Sequence, residues 1–241
     1  MWFQRASEKG HKSALDSLLE AAGQGNVDAL ISVGDIVGSW LRKGAERDPA
    51  EAVMCYREAA EQGDARGQRK LGSMLERGDG VAQDLSEAMK WYRFAAEQGD
   101  AEANACLGEI FLGGKGVTRD PVQALQWYRA AAELGLAPAQ YVLGTILDPD
   151  PGGPLAQFAH DPQYIPRTIQ DLAEAIQWYR ASAEQGHKAA QHKLGSLLAN
   201  GKGVGRDLVE AAEWSGIPWR LCVGTEPLRS RGMPMRSAIS G

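Results

Sequence analysis

One pattern constrains this chain more than any other. Leucine–glycine pairs recur at a fixed spacing: Leu71-Gly72, Leu107-Gly108 and Leu143-Gly144 are 36 residues apart, Val33-Gly34 stands 38 residues before Leu71, and Leu194-Gly195 follows later. A second anchor keeps step with the first: Trp91-Tyr92, Trp127-Tyr128 and Trp178-Tyr179, with Cys55-Tyr56 in the first unit and Trp214-Ser215 in the last. Second segments close with alanines and a glycine, at Gly63, Gly99, Gly135 and Gly186. Self-similarity at this period marks a repeat array. No single unit covers its own apolar face, so neighbours must stack to bury it.

Each unit reads as two helices. In 101–136, Ala103, Leu107, Ile110 and Phe111 fall on one helical face. Gly113, Gly114 and Gly116 then break the period, since glycine tolerates positive φ in a turn. Asp120 opens the second helix as a cap, and Pro121 sits at the first helical position, where its missing N–H costs little. The same start recurs at Asp48, Asp84, Asp171 and Asp207, each followed three residues on by Glu51, Glu87, Glu174 or Glu210; Asp120 has Gln123. That spacing resembles a capping box. Ala88, Trp91, Tyr92, Ala95 and Ala96 form a stripe wide enough to face two neighbours, with the tryptophan expected to supply most of the buried area.

The sequence therefore predicts an all-α fold, an α/α superhelical repeat solenoid of about five two-helix units. The units are 27–64, 65–100, 101–136, 137–187 with an insertion at 149–169, and 188–214. Residues 1–26 read as a partial repeat followed by a linking helix, and 215–241 as an irregular, flexible tail. The pattern Leu-Gly, Gly-x-Gly-Val, Asp, Ala-x-x-Trp-Tyr and Ala-Ala-x-x-Gly resembles the Sel-one-like repeat family, which is related to tetratricopeptide repeats. The resemblance spans residues 27–214. It implies a superhelix that acts mainly as an interaction scaffold. Some cysteine-rich relatives carry paired cysteines in each repeat and are linked to β-lactam binding or hydrolysis; this chain lacks those pairs.

Three breaks in the pattern stand out. The turn at Ser39–Arg47 is two residues longer and lacks Gly-x-Gly-Val. Between Leu147 and Asp171 the turn grows by 15 residues and holds five prolines, which continue neither helix. Phe158 and Tyr164 within it are apolar enough to dock, so the insertion reads either as a solvated loop or as a partner-binding arm. After Trp214 the helical period stops where a terminal cap is expected. A folded-back segment, self-association through the uncapped end, and a truncated reading frame each account for that.

Charge and cysteines bound the function. The net charge is −5, and with 215–241 at +3 the rest stands at −8, which argues against nucleic-acid binding. Apolar runs fall short of a membrane span, and Met1–Gly10 lacks signal-peptide character. Cys55, Cys106 and Cys222 are odd in number and far apart, as buried thiols in a cytoplasmic protein would be; a chain lacking its native N-terminus could instead be periplasmic or secreted.

Chemistry is sparse. Gly113-Gly114-Lys115-Gly116 and Gly201-Lys202-Gly203 lack Walker spacing and follow helices, so they read as repeat turns. His11, His160, His187 and His192 make no metal-ligand spacing, and no catalytic residue, cofactor or metal site is expected.

The family resemblance implies that first helices line the concave face. Positions one, four and eight after each unit start then face a groove: Asp28, Ile31, Asp35; Arg66, Arg69, Ser73; Glu102, Ala105, Glu109; Pro138, Tyr141, Thr145; Ala189, His192, Ser196. Arg66, Arg69, Arg77, Glu102, Glu109, Tyr141 and His192 are the candidate partner contacts, in an acidic–basic–acidic order. The expected function is a scaffold or adaptor that binds a protein or peptide segment in that groove. Two other readings compete: a hydrolase of cell-wall-related amides, and a truncated repeat protein without independent function.

Overall fold

The computed structural model describes residues 12–38, 48–148 and 172–215. The partial repeat before 12, the long turn at 39–47, the insertion with Phe158 and Tyr164, and the tail after 215 lie outside the described residues.

Among the described residues every regular element is a helix: α1 (Lys12–Gly23), α2 (Val27–Gly38), α3 (Pro49–Glu61), α4 (Ala65–Arg77), α5 (Leu85–Glu97), α6 (Ala101–Gly113), α7 (Pro121–Glu133), α8 (Ala137–Leu147), α9 (Leu172–Glu184), α10 (Lys188–Asn200) and α11 (Leu208–Ser215). Extensive contacts join only helices adjacent in sequence, from α1 against α2 through α10 against α11. That is the quasi-one-dimensional packing of a solenoid. Pairs α2–α3, α4–α5, α6–α7, α8–α9 and α10–α11 form the five units.

The aspartates cap the second helices as the sequence predicts. Asp48, Asp84, Asp120 and Asp207 accept from the backbone N–H of Glu51, Glu87, Gln123 and Glu210 at 2.8–3.0 Å. Asp171 lies outside the described residues. Four of the five first helices have side-chain caps of their own, from Asn26, Asp64, Asp100 and the ring of His187, whereas α8 starts after Leu136 without one. His187 is thus a helix cap: its Nδ1 accepts from the Ala190 N–H at 3.3 Å.

The Leu-Gly glycine has a steric cause. A Cβ at Gly72 would stand 2.9 Å from two ring carbons of Tyr92. At Gly34, Gly108 and Gly144 it would meet Tyr56, Tyr128 and Tyr179 at 2.6, 2.9 and 2.7 Å. Each tyrosine therefore lies flat across the first helix of its own unit, where only hydrogen fits. In the Gly-x-Gly turn, Gly80 combines φ +73° with contact on the preceding unit, since a Cβ there would meet Pro49 backbone at 2.3 Å. The turns that resemble phosphate loops are the same interlock between repeats: a Cβ at Gly116 would meet Leu85 of the preceding unit at 2.7 Å, and one at Gly203 would meet Leu172 at 2.6 Å.

Two expectations are corrected. The tyrosine, not the tryptophan, fills the interior: Tyr56, Tyr92, Tyr128 and Tyr179 are all buried, while Trp91, Trp127, Trp178 and Trp214 are only partly buried against the core. The indole has to keep its N–H near a polar partner, and it does so at the outer edge. The capping box is also not formed at the described caps: the N–H groups of Asp48, Asp84, Asp120 and Asp207 donate to the Val37, Leu75, Phe111 and Leu198 carbonyls instead. Glu87 Oε1 accepts from Trp91 Nε1 at 3.2 Å and from Arg57 of the preceding unit at 3.4 Å. Glu174 does the same with Trp178 (3.2 Å) and Arg129 (2.7 Å), and Glu210 with Trp214 (3.2 Å) and Arg180 (2.7 Å). Three junctions thus carry one Arg–Glu–Trp clasp.

Candidate functional site

The first helices α2, α4, α6, α8 and α10 bury one side and expose the other. Leu71 and Leu75, Leu107 and Phe111, or Leu194 and Leu198 turn inward, leaving the intervening residues on an outer face. Of the positions assigned to this face by register, Asp28, Asp35, Arg66, Glu102, Glu109, Pro138, Ala189, His192 and Ser196 are exposed. Arg69, Ser73, Ala105 and Tyr141 are half-buried. Ile31 and Thr145 do not belong to it; both are buried. Arg77, a turn beyond Ser73, is exposed.

The two arginines that head the candidate list are already engaged. Arg66 Nη2 reaches back to Asp28 Oδ1 at 2.6 Å and to its own cap, Asp64 Oδ2, at 2.9 Å. Arg69 reaches forward to Asp100 Oδ2 at 3.1 Å and Glu102 Oε2 at 2.7 Å. They tie the second unit to the first and to the third. The acidic–basic–acidic order is therefore largely neutralised within the stack. Burial raises the Asp64 carboxyl pKa, but bonds from the Arg66 side chain and the Gly67 and Arg66 amides outweigh it and leave Asp64 below the usual carboxylate range.

Further along the same face a second motif appears that the register does not single out. Lys70 Nζ bonds Asp35 at 2.6 Å and stands 5.4 Å above the ring of Tyr56, whose hydroxyl donates to the same Asp35 oxygen. Lys193 repeats this with Asp148 (2.9 Å) and Tyr179, whose hydroxyl donates to Asp148 at 3.2 Å. The available signal is that Lys70 and Lys193 each stand immediately before the Leu-Gly pair. Tyr92 donates to Glu76, and Lys115 reaches the same carboxylate at 3.4 Å. Burial pushes the Tyr56 and Tyr92 hydroxyls well above their ordinary range, and the facing carboxylates add to it.

Tyr141 is held between rings, 5.9 Å from Tyr179 and 5.0 Å from His187. Arg77, Glu109 and His192 remain open on the surface, and Glu102 keeps 59% of its side chain exposed despite its pair with Arg69. An open recess of about 540 Å³ lies where the α3–α4 turn meets α2 and the end of α5; Val27, Asp28, Gln62, Asp64, Arg66 and Gln98 line it.

No group of three or more His, Cys, Asp or Glu side chains among the described residues is placed to hold a metal ion. Cys55 and Cys106 are separate free thiols. Burial pushes both up, Cys106 to about 11, with Glu109 adding to the effect; neither is an activated nucleophile. No helix among the described residues is long and apolar enough to cross a membrane.

Comparison with known proteins follows the repeats. The model of a family described as Sel1 repeat matches residues 1–11, 28–64, 65–100, 101–136, 156–187 and 188–215. A Sel1 repeat protein from Oxalobacter formigenes of solved structure is 32% identical, over 88% of this chain and 80% of that one, with a TM-score of 0.67. A protective antigen of uropathogenic Escherichia coli that displays an SLR fold is 33% identical, over 83% of this chain and 47% of its own, with a TM-score of 0.52. This chain thus spans about half the length of that antigen. An immunity protein from Pseudomonas aeruginosa, 16% identical over 91% of this chain and 80% of that one, shares the fold alone with a TM-score of 0.52. No curated protein matches the chain.

Proposed function

The chain belongs to the Sel1 repeat family, whose members are generally protein-interaction scaffolds and typically not enzymes, and we propose that it binds a segment of a partner protein along the outer face of its first helices. One observation carries this reading: side chains of five successive first helices repeat in register on one exposed surface. Arg66 and Arg69 contribute mainly as internal ties. The residues offered to a partner are Glu102, Glu109, Tyr141, His192 and Arg77, with the recess beside Arg66 as a place for a side chain to enter. Charged rims of this kind set orientation and on-rate. A reducing compartment such as the cytoplasm suits the separate thiols of Cys55 and Cys106.

The experiment compares wild type with a Glu109→Arg, His192→Glu double variant as bait in source lysate, with partners identified by mass spectrometry. Both side chains are exposed, so the variant is expected to keep its helical circular dichroism. A stoichiometric partner lost with the variant is the expected result. Equal capture by both baits, or none by either, would sink the reading.

A further inference from the structure

The outer clasp lapses at one junction. Arg93 and Trp127 occupy the places of Arg57 and Trp91, of Arg129 and Trp178, and of Arg180 and Trp214. Between them, where the other three junctions have Glu87, Glu174 and Glu210, stands Gln123. Its amide turns away and donates to the cap Asp120 Oδ2 at 2.9 Å. No ion pair joins Arg93 to another described residue, and it is exposed, whereas Arg57, Arg129 and Arg180 are each half-buried in their clasps. Two donors that elsewhere share one carboxylate oxygen lack it here.

A second departure stands next to Arg93 on α5. The residue after the clasp arginine is Glu58, Ala130 or Ala181 in the other units and Phe94 in this one. Phe94 is 51% exposed and packs edge-on against Trp91, with ring centroids 5.8 Å apart. Helix α5 therefore presents, side by side, an arginine without its clasp carboxylate and an uncovered aromatic ring. A missing acceptor alone would suit any small anion. The exposed ring asks for apolar cover in addition, which a small anion does not bring.

We propose that the junction between the second and third repeats is a docking site for an acidic, apolar segment of a partner protein. A Glu or Asp side chain of that segment takes the place of the absent clasp carboxylate and accepts from the Arg93 guanidinium and the Trp127 Nε1–H. A neighbouring large apolar side chain covers Phe94. The geometry is the one the protein itself uses three times, at 2.7–3.4 Å from the arginine and 3.2 Å from the indole. Charge-assisted bonds of this type combine strength with direction. This surface lies on the second helices and stands independently of the face proposed above.

The test is selection of displayed random peptides on the full chain. Enriched peptides are then synthesised with each acidic residue also replaced by its amide. Enrichment of Glu or Asp beside Leu or Phe is expected, with binding weakened at least about tenfold by the amide replacement, by Arg93→Glu and by Gln123→Glu. Phe94→Ala is expected to weaken binding several-fold. Gln123→Glu is decisive because it supplies the internal carboxylate that the other junctions already accommodate, so it is expected to fold. Enriched peptides without acidic residues, no enrichment, or binding indifferent to Gln123→Glu would overturn the proposal. So would self-association of the wild type that Gln123→Glu abolishes, since that assigns the junction to a second copy.

Discussion

Trp91 and Tyr92 are adjacent on α5, yet they serve different seams. Tyr92 lies inside, flat against Gly72 of its own unit, and the same contact recurs at Tyr56, Tyr128 and Tyr179. Trp91 lies at the outer edge and joins its unit to the preceding one through Glu87 and Arg57. The inner seam appears in four successive units without a change of residue. The outer one lapses at Gln123 and lacks its tryptophan at Cys55. A close-packed ring has no alternative arrangement, because any added atom must displace a neighbour. A half-exposed ion pair contributes little, so its loss is tolerated. Variation in this stack therefore collects on its outer edge.

The largest expected effect comes from the inner seam. Tyr92→Ala removes a buried ring and leaves Glu76 without the hydroxyl that donates to it. A loss of about 3–5 kcal/mol in denaturant unfolding is expected. A loss below about 1 kcal/mol would show that the seam does not hold the unit together.

A sharper test uses the sign of the effect. Gly→Ala within a helix ordinarily gains about 1 kcal/mol. Gly108→Ala places a Cβ 2.9 Å from the Tyr128 ring and is expected to cost about 1–3 kcal/mol instead. Gly23, at the end of α1, has nothing within 4 Å of an added Cβ, and Gly23→Ala is expected to stabilise by about 0.4–1 kcal/mol. Thermal melts of the pair should move in opposite directions. Movement in the same direction would break the contrast between packed and open glycines.

Alkali should strain the seam at Cys106. Its thiol is held up to about 11 by burial first and Glu109 second. The folded state favours the neutral thiol, so this stability is fully present below pH 9 and is lost as pH rises toward 11. With allowance for solvent screening the loss is about 1–2 kcal/mol. Tyr56 and Tyr92 shift in the same direction. Denaturation midpoints measured from pH 8 to pH 11 should fall, and the fall should be shallower in Cys106→Ser. Identical slopes would remove Cys106 from the account.

The smallest effects belong to the outer edge. Glu174→Gln weakens the clasp of Arg129 and Trp178, and Gln123→Glu completes the missing one. Each is expected to shift stability by about 0.5 kcal/mol, down and up respectively. A change of several kcal/mol at either site, read by denaturant unfolding, would show that the outer edge is as constrained as the interior.

Much of the fold was legible in residue spacing. The cap aspartates and the turn glycines are local signals, each acting within a few residues of backbone, and their recurrence marks the units. The candidate site was legible in part. Register put Glu102, Glu109 and His192 on one exposed face, because a helix fixes which side chains share a side. It did not show that Arg66 and Arg69 are engaged, since Arg66 meets Asp28 across 38 positions and Arg69 meets Asp100 across 31. Nor did it show that Glu87 serves Arg57 rather than its own cap. The spacing suits either use, and the choice depends on how close the preceding unit stands.

Residue spacing alone established that this chain is a stack of two-helix units, where the second helices begin, and which glycines break the helical period at the turns. Those follow from propensity, capping and periodicity, which need no knowledge of the neighbours. It took the packed units to show that tyrosine rather than tryptophan fills the interior, that the leading arginines join repeats, and that the Arg93 and Trp127 donors have no carboxylate to share. Each of these depends on distances between units, and residues 30 or more positions apart meet only when the stack has formed.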